Sequence, residues 1–313
     1  MSTATSQAEL LLMASIARRH YLRGESKIEI GEHFGLSRFK VARLLEAAHD
    51  SGLVRIEIAP AEGLNLDLSA RVKEEFGLSH CAVLAPGATT PDEINQALGR
   101  VAAGLLAETL TDKDVVGLPW SRSVLAMSEH VSGWPAVKIV QLSGGMEVAG
   151  YDASAVELIR SVARSCNGES VIFHAPFLLD DAEGAEAMRR QSSVGSALEA
   201  VGEVTHAVVG VGQWASGFST IYEIAGDSSL AGAAESGVVG ESAGVFYDSA
   251  GAPVELEITT RMISITADQL RAIPNVWALA AGATKAQAMA AAIQGQFVNS
   301  LVIDEGLANA LVD

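Results

Sequence analysis

Two rhythms of apolar and polar positions run along the chain, and the change between them falls near residue 60. Over residues 9–23, Leu12, Ile16 and Leu22 recur at helical spacing with small residues between them, and Gly24 stops the pattern. Residues 27–34 fit a second, short helix. Gly35 breaks it, Leu36 follows, and Ser37 is a good N-cap for a third helix that runs to about residue 51 and is closed by Gly52. Ile30, Phe34, Leu36, Val41 and Leu44 would meet in a small core, with Gly31 letting the second and third helices approach, which is the spacing of a helix-turn-helix. Residues 53–59 alternate apolar with charged positions and read as a strand that could serve as a wing.

Beyond a short punctuating stretch at 60–63, Leu64, Leu68, Val72 and Phe76 share one helix face. That helix either couples or pairs domains, or packs on its own domain. From residue 80 onward, apolar runs at 81–84, 115–118, 137–142, 170–174, 207–211, 276–280 and 301–303 alternate with helical stretches at 92–110, 124–131, 153–165, 182–200 and 285–293. This alternation predicts a doubly wound, mostly parallel α/β domain. The expected organisation is therefore a winged helix-turn-helix domain over 1–60 and an α/β domain over 61–313.

Charge sharpens the division. The 313 residues carry a net charge of −17, which by itself argues against nucleic acid. Residues 1–60, however, hold 8 basic and 7 acidic side chains, and the remainder carries a net −18. The stretch 36–45 contains Arg38, Lys40 and Arg43 and no acid, so a cationic face survives on an acidic molecule. Ser37, Arg38, Phe39, Lys40 and Arg43 would project from the first turns of the third helix, where a major-groove reader places its contacts. A three-helix structural unit with merely solvated cations is the alternative. Phe39 either meets a thymine methyl or packs on its own domain.

In a doubly wound fold, ligands sit beyond the carboxyl ends of the strands, so the loops after the apolar runs carry the candidate chemistry. Residues 117–123 offer the hydroxyls of Ser121 and Ser123, the Arg122 guanidinium and backbone N–H groups at a helix start. At 143–146 the pair Gly144 and Gly145, followed by Met146, allows close backbone approach, and at 210–213 Gln213 adds an amide to read hydroxyls. The stretch 281–285 ends on Lys285. Trp120, Trp214 and Trp277 either line a sugar pocket or belong to the core.

The run I-E-I-G-E-H-F-G-L-S-R-F-K-V-A-R-L-L at 28–45, followed by G-L-V-R-I-E-I at 52–58, resembles the DNA-binding domain of SorC-type, sugar-responsive bacterial transcriptional regulators. The resemblance extends to W-S-R-S at 120–123, Q-L-S-G-G at 141–145, G-E-S-A-G-V-F-Y-D at 240–248, A-G-A-T-K at 281–285 and V-I-D-E at 302–305. It implies an effector domain similar to ribose-5-phosphate isomerase and glucosamine-6-phosphate deaminase, commonly a binder of phosphorylated sugars. It also implies Ser121, Arg122, Ser123, Gly144, Gly145, Glu241 and Lys285 as site residues. The chain departs from the family pattern where Ser121 replaces Gly, Glu241 replaces Asp and Ala283 replaces Gly, so a free sugar or polyol stays open beside a sugar phosphate.

Other chemistries are excluded. The sequence has no P-loop and no H-E-x-x-H, and the glycines at 210, 212 and 217 lack dinucleotide-fingerprint spacing. The only cysteines are Cys81 and Cys166, which removes a disulfide framework and a thiolate zinc site. No cofactor and no metal are expected. The absence of a long apolar run and of a basic start points to a cytoplasmic protein without a membrane partner. The leading function is a transcriptional regulator that binds double-stranded operator DNA as a homodimer or homotetramer and responds to a sugar, polyol or sugar phosphate. The alternative is a sugar-phosphate isomerase or deaminase with an accessory domain, using Glu241 or Asp304 as acid–base and Lys285 to hold substrate.

Overall fold

The computed structural model describes residues 7–54, 63–146 and 154–313, and the chain divides into two compact units, 1–59 and 60–313. In the first unit, helix Gln7–Ala17 runs into one wider turn, Arg18–Leu22, and is followed by helices Lys27–Phe34 and Arg38–Asp50. Ser26 and Glu29 form a reciprocal capping box on the second helix, and the Ser37 hydroxyl accepts the Lys40 N–H at 3.2 Å on the third. Between them Gly35 takes a left-handed conformation (φ 63°), and Leu36 N–H closes the turn onto Gly31 O at 2.8 Å. A Cβ on Gly31 would stand 2.6 Å from Leu36 O, so only glycine admits this turn. Met13, Ile16, Ile30, Val41, Leu44 and Leu45 fill the core beneath it. The predicted strand at 53–59 lies largely outside the described residues.

The second unit contains a seven-stranded parallel sheet. Its strands are β1 (His80–Leu84), β2 (Val115–Leu118), β3 (Lys138–Gln141), β4 (Ser170–Val171), β5 (His206–Gly210), β9 (Asn275–Ala280) and β10 (Ser300–Asp304), in the order β1-β10-β9-β5-β2-β3-β4. Both faces are covered, which explains why the strands are apolar runs rather than alternating ones. Val208, Trp277, Leu279 and Val302 face the helices Pro91–Thr109, Arg122–Ser128 and Ala155–Ser165, whereas Val209, Ala278, Ala280 and Ile303 face the opposite layer. The helix Leu66–Phe76 packs on its own domain. Leu68 and Val72 are buried, Arg71 donates to Val312 O at 2.7 Å, and Leu64 lies outside the helix as a bridge partner of Leu84.

Three expectations change. The predicted strand 170–174 is only two residues long. The predicted helix 182–200 is two helices, Ala182–Arg189 and Ser192–Glu199, with Gln191 extended between them. A separate antiparallel sheet, β6 (Gly212–Gln213), β7 (Val238–Ser242) and β8 (Val245–Asp248), joins the parallel one. Its β7–β8 hairpin turns on Ala243 (φ 50°) and Gly244 (φ 87°), the two left-handed positions of a tight primed turn. Alanine there carries no turn signal, so the hairpin was hidden.

Candidate functional site

The strand order reverses between β2 and β5: from β2 the chain goes outward to β3 and β4, and from β5 it goes outward through β9 and β10. A cavity of about 340 Å³ opens beyond the carboxyl ends of these central strands. That position is where doubly wound folds bind ligands, and the volume suits a small metabolite.

Each wall is set by a strand end. After β2, Trp120 is buried against the cavity and Ser121 caps helix Arg122–Ser128 by accepting Val124 N–H at 3.2 Å. Ser121 and Ser123 hydroxyls stand 3.4 Å apart, and the buried Arg122 Nε has no hydrogen-bond partner among the described residues. After β5, Gly212 pairs with Glu241 of β7, and a Cβ at 212 would collide with the Glu241 carboxylate. After β9, the half-buried Lys285 reaches across to donate to Val211 O at 3.0 Å. Asp304, at the end of β10, caps helix Glu305–Val312 and accepts Gly282 N–H at 2.9 Å, which holds the Lys285 loop in place.

Two cations and two carboxylates therefore line one concave space. Burial pushes the Glu241 carboxyl above its ordinary value, an effect opposed by the Ser219 hydroxyl (2.9 Å to Oε1), by Lys285 and by Gly244 N–H. Burial pulls Lys285 down, Glu241 pulls it back up, Arg122 lowers it further and Asp304 raises it. Beneath them the Tyr247 hydroxyl is buried without a hydrogen-bond partner among the described residues.

Trp120, Ser121, Arg122, Ser123, Met146, Glu241 and Lys285 line the cavity together. Gly144, Gly145 and Gln213 do not. Gly144 and Gly145 are pinned between two neighbouring segments, with Gly144 N–H on Ile263 O and Gly145 N–H on Ala175 O, and a Cβ at 144 would stand 2.5 Å from Pro176 O. Close backbone packing thus demands glycine at 144, whereas a Cβ at 145 would meet only Ala175 O at 3.9 Å. Gln213 follows Gly212 on a strand, so its side chain leaves on the other face. Of the tryptophans, Trp214 packs on Tyr222 and Phe246, and Trp277 stacks on His80. Sequence reasoning missed Ser143, Ser219, Phe218 and Asn95 on the cavity wall. Ser143 was legible as the strand-end residue before the glycine pair. Asn95 was not, because only tertiary packing brings its helix to the cavity.

In the first unit, Ser37, Arg38, Phe39, Lys40 and Arg43 are all exposed, and Phe39 is 77% exposed. Its ring is left uncovered by the described residues of its own domain. Among the described residues no three His, Cys, Asp or Glu side chains are grouped to hold a metal, and no helix is long and apolar enough to cross a membrane.

Residues 62–313 match the family described as "Putative sugar-binding domain". Over 314 residues the chain is 33% identical to the transcriptional regulator LsrR of Klebsiella pneumoniae subsp. pneumoniae, spanning 97% of this chain and 94% of that protein. It is 30% identical over 307 residues to LsrR of Escherichia coli K12, spanning 96% of this chain and 94% of that protein. The crystal structure of the full-length sorbitol operon regulator SorC from Klebsiella pneumoniae superposes with a TM-score of 0.72 over 98% of this chain and 100% of that one, at 24% identity. The chain belongs to the SorC family of sugar-responsive transcriptional regulators. Membership of the SorC family decides between the two functional readings: the relatives are regulators, and the isomerase or deaminase alternative falls. The mostly parallel α/β architecture is that of SorC-family effector domains, preceded here by a helix-turn-helix.

Proposed function

We propose that this SorC-family regulator binds an inverted-repeat operator through Ser37, Arg38, Phe39, Lys40 and Arg43, and that a small hydroxylated, anionic metabolite in the strand-end cavity changes that affinity. The observation that carries the effector half is the convergence of Arg122, Lys285, Glu241 and Asp304 with the Ser121, Ser123 and Ser219 hydroxyls on one cavity of about 340 Å³. Cations suit a phosphate or carboxylate, and carboxylates with hydroxyls suit a polyol chain. A sugar phosphate satisfies both sets. A free sugar or polyol satisfies only the second, and brings no negative charge to Arg122 and Lys285.

The DNA half rests on the acid-free start of helix Arg38–Asp50. Two heads at fixed separation are needed to read a palindrome, so the working unit is at least a dimer. Arg38→Ala or Arg43→Ala should weaken operator binding by about 1–3 kcal/mol where the side chain reads a base. A thermal-shift screen against matched pairs of sugars, polyols and their phosphates tests the effector class. At about 100 times its Kd a true effector adds about 2.7 kcal/mol to stability. A phosphorylated compound should stabilise more than its free counterpart, and Lys285→Ala should remove the difference. Equal stabilisation of wild type and Lys285→Ala by the same compound would put the ligand elsewhere.

A further inference from the structure

Helix Arg38–Asp50 buries Val41, Leu44, Leu45 and Ala48 against the core of the first unit, so the line opposite them is its outermost. At about 100° per residue, Phe39 and Arg43 fall about 170° and 150° from the centre of that buried stripe, whereas Arg38 and Lys40 fall about 70° and 90° from it on opposite flanks. All four side chains are exposed, and Phe39, at 77%, is the most exposed of the large apolar side chains described. The Ser37 hydroxyl is occupied by the Lys40 N–H at 3.2 Å. Further along the outward line stand the exposed Glu46 and Asp50. This helix is thus aromatic and cationic on its outer side over the first two turns and acidic beyond, with one cation on each flank at its start.

We infer that Phe39 reads the C5-methyl of a thymine in the major groove, that Arg43 reads a guanine close to it, and that Arg38 and Lys40 hold phosphates on the two walls of the groove. Charge selects the occupant, because an aromatic ring flanked by three cations on a chain of net charge −17 suits a polyanion. The ring has no donor or acceptor, and the thymine methyl is the apolar group that unmodified base edges present in the major groove. Arg43, about 40° round from Phe39 and one turn on, shares the ring's face, and its fork matches guanine O6 and N7. Four residues advance about 6 Å along the axis, so the two bases lie within about two steps of 3.4 Å. Arg38 and Lys40 leave the helix sideways, toward the bordering strands, where charge positions the helix without reading sequence. Glu46 and Asp50 repel phosphate at the far end, so the first turns are the ones that enter. The assignment rests on the operator reading proposed above and adds what each side chain meets there.

The probe is a duplex that the full-length chain enriches from a randomised pool, compared with the same duplex carrying deoxyuridine for thymidine at one position at a time. Deoxyuridine keeps every hydrogen-bonding group of thymidine and lacks the methyl. At one thymine of each half-site, within two base pairs of a guanine, wild type is expected to lose about fourfold, the equivalent of about 0.8 kcal/mol for one buried carbon. Phe39→Ala should bind the two duplexes equally, and Phe39→Leu should keep a preference for thymidine. Arg38→Ala and Lys40→Ala should weaken both duplexes alike, each lowering the slope of log affinity against log salt by about one. Arg43→Ala should instead relax the preference for guanine. A Phe39→Ala chain as sensitive to deoxyuridine as wild type, or a wild type that ignores the methyl at every thymine, overturns the assignment. Wild-type affinity of Phe39→Ala for the thymidine duplex would give the ring to a partner other than DNA and overturns it as well. Enrichment of no duplex removes the operator reading and the assignment together, whereas an enriched duplex without methyl dependence removes the assignment alone.

Discussion

The Ser219 hydroxyl donates to Glu241 Oε1 at 2.9 Å while accepting the Tyr222 N–H at 3.2 Å. One side chain thereby ties the buried carboxylate of β7 to the start of helix Thr220–Ile224 and to Phe218 on the cavity rim. A ligand that competes for Glu241 also pulls on that helix.

Ser219→Ala leaves the Glu241 carboxylate short of a donor in a buried place, a loss of about 1–3 kcal/mol. Calorimetry should show weaker effector binding, and Ser219→Thr should retain most of it. Unchanged affinity in Ser219→Ala would mean that Glu241 takes no part in the site.

Glu241 also shapes stability against pH. Its folded-state pKa lies above the ordinary 4.5, so the native state holds the proton more tightly than the unfolded chain does. Ligand-free stability should therefore fall as pH rises from about 4.5 through the raised value, and Glu241→Gln should abolish that fall. Chemical denaturation across this range measures the slope, and a variant with the wild-type slope would contradict the assignment.

At the opposite end of the sheet the sign reverses. Burial lowers His206, opposed by Asp114 at 3.5 Å and reinforced by His80, and burial together with Lys73 lowers His80. Both rings stay neutral in the folded protein where the unfolded chain has begun to take up protons. Stability should drop as pH falls below 6.5, and a His80→Gln, His206→Gln double variant should flatten the drop.

Gly31→Ala pushes a Cβ against Leu36 O and should cost about 1–3 kcal/mol in the 1–59 unit. Operator binding should weaken while effector binding in the 60–313 unit persists. Phe39→Ala removes an exposed ring, so it should lower operator affinity and leave the thermal midpoint unchanged. A shifted midpoint would return Phe39 to a packing role.

The local rules that decide most elements are visible in the residues. Ser37 before an acid-free helix start and Gly35 after Phe34 mark the helix-turn-helix, and the apolar runs mark the parallel sheet because both its faces are buried. The antiparallel β6–β8 sheet was not legible, since its hairpin turns on Ala243 and its first strand is two residues long. Within the site, Lys285 and Arg122 follow apolar strands and could be read, and Glu241 entered through a resemblance. Ser219 and Asn95 reach the cavity only through packing that no local pattern encodes. The glycine pair 144–145 lies outside the cavity lining, and at Gly144 the close approach that glycine permits is to Pro176.

In the proposed regulation one free energy couples cavity and operator. Effector binding should change operator affinity by a factor of about 5–150, and operator DNA must change effector affinity by the same factor. Titration calorimetry of the effector into the full-length protein, with and without saturating operator duplex, reads that factor directly. The two effector affinities should differ by the factor found in the reciprocal DNA titration. Equal effector affinities in the two titrations would contradict it, even if the protein binds both ligands.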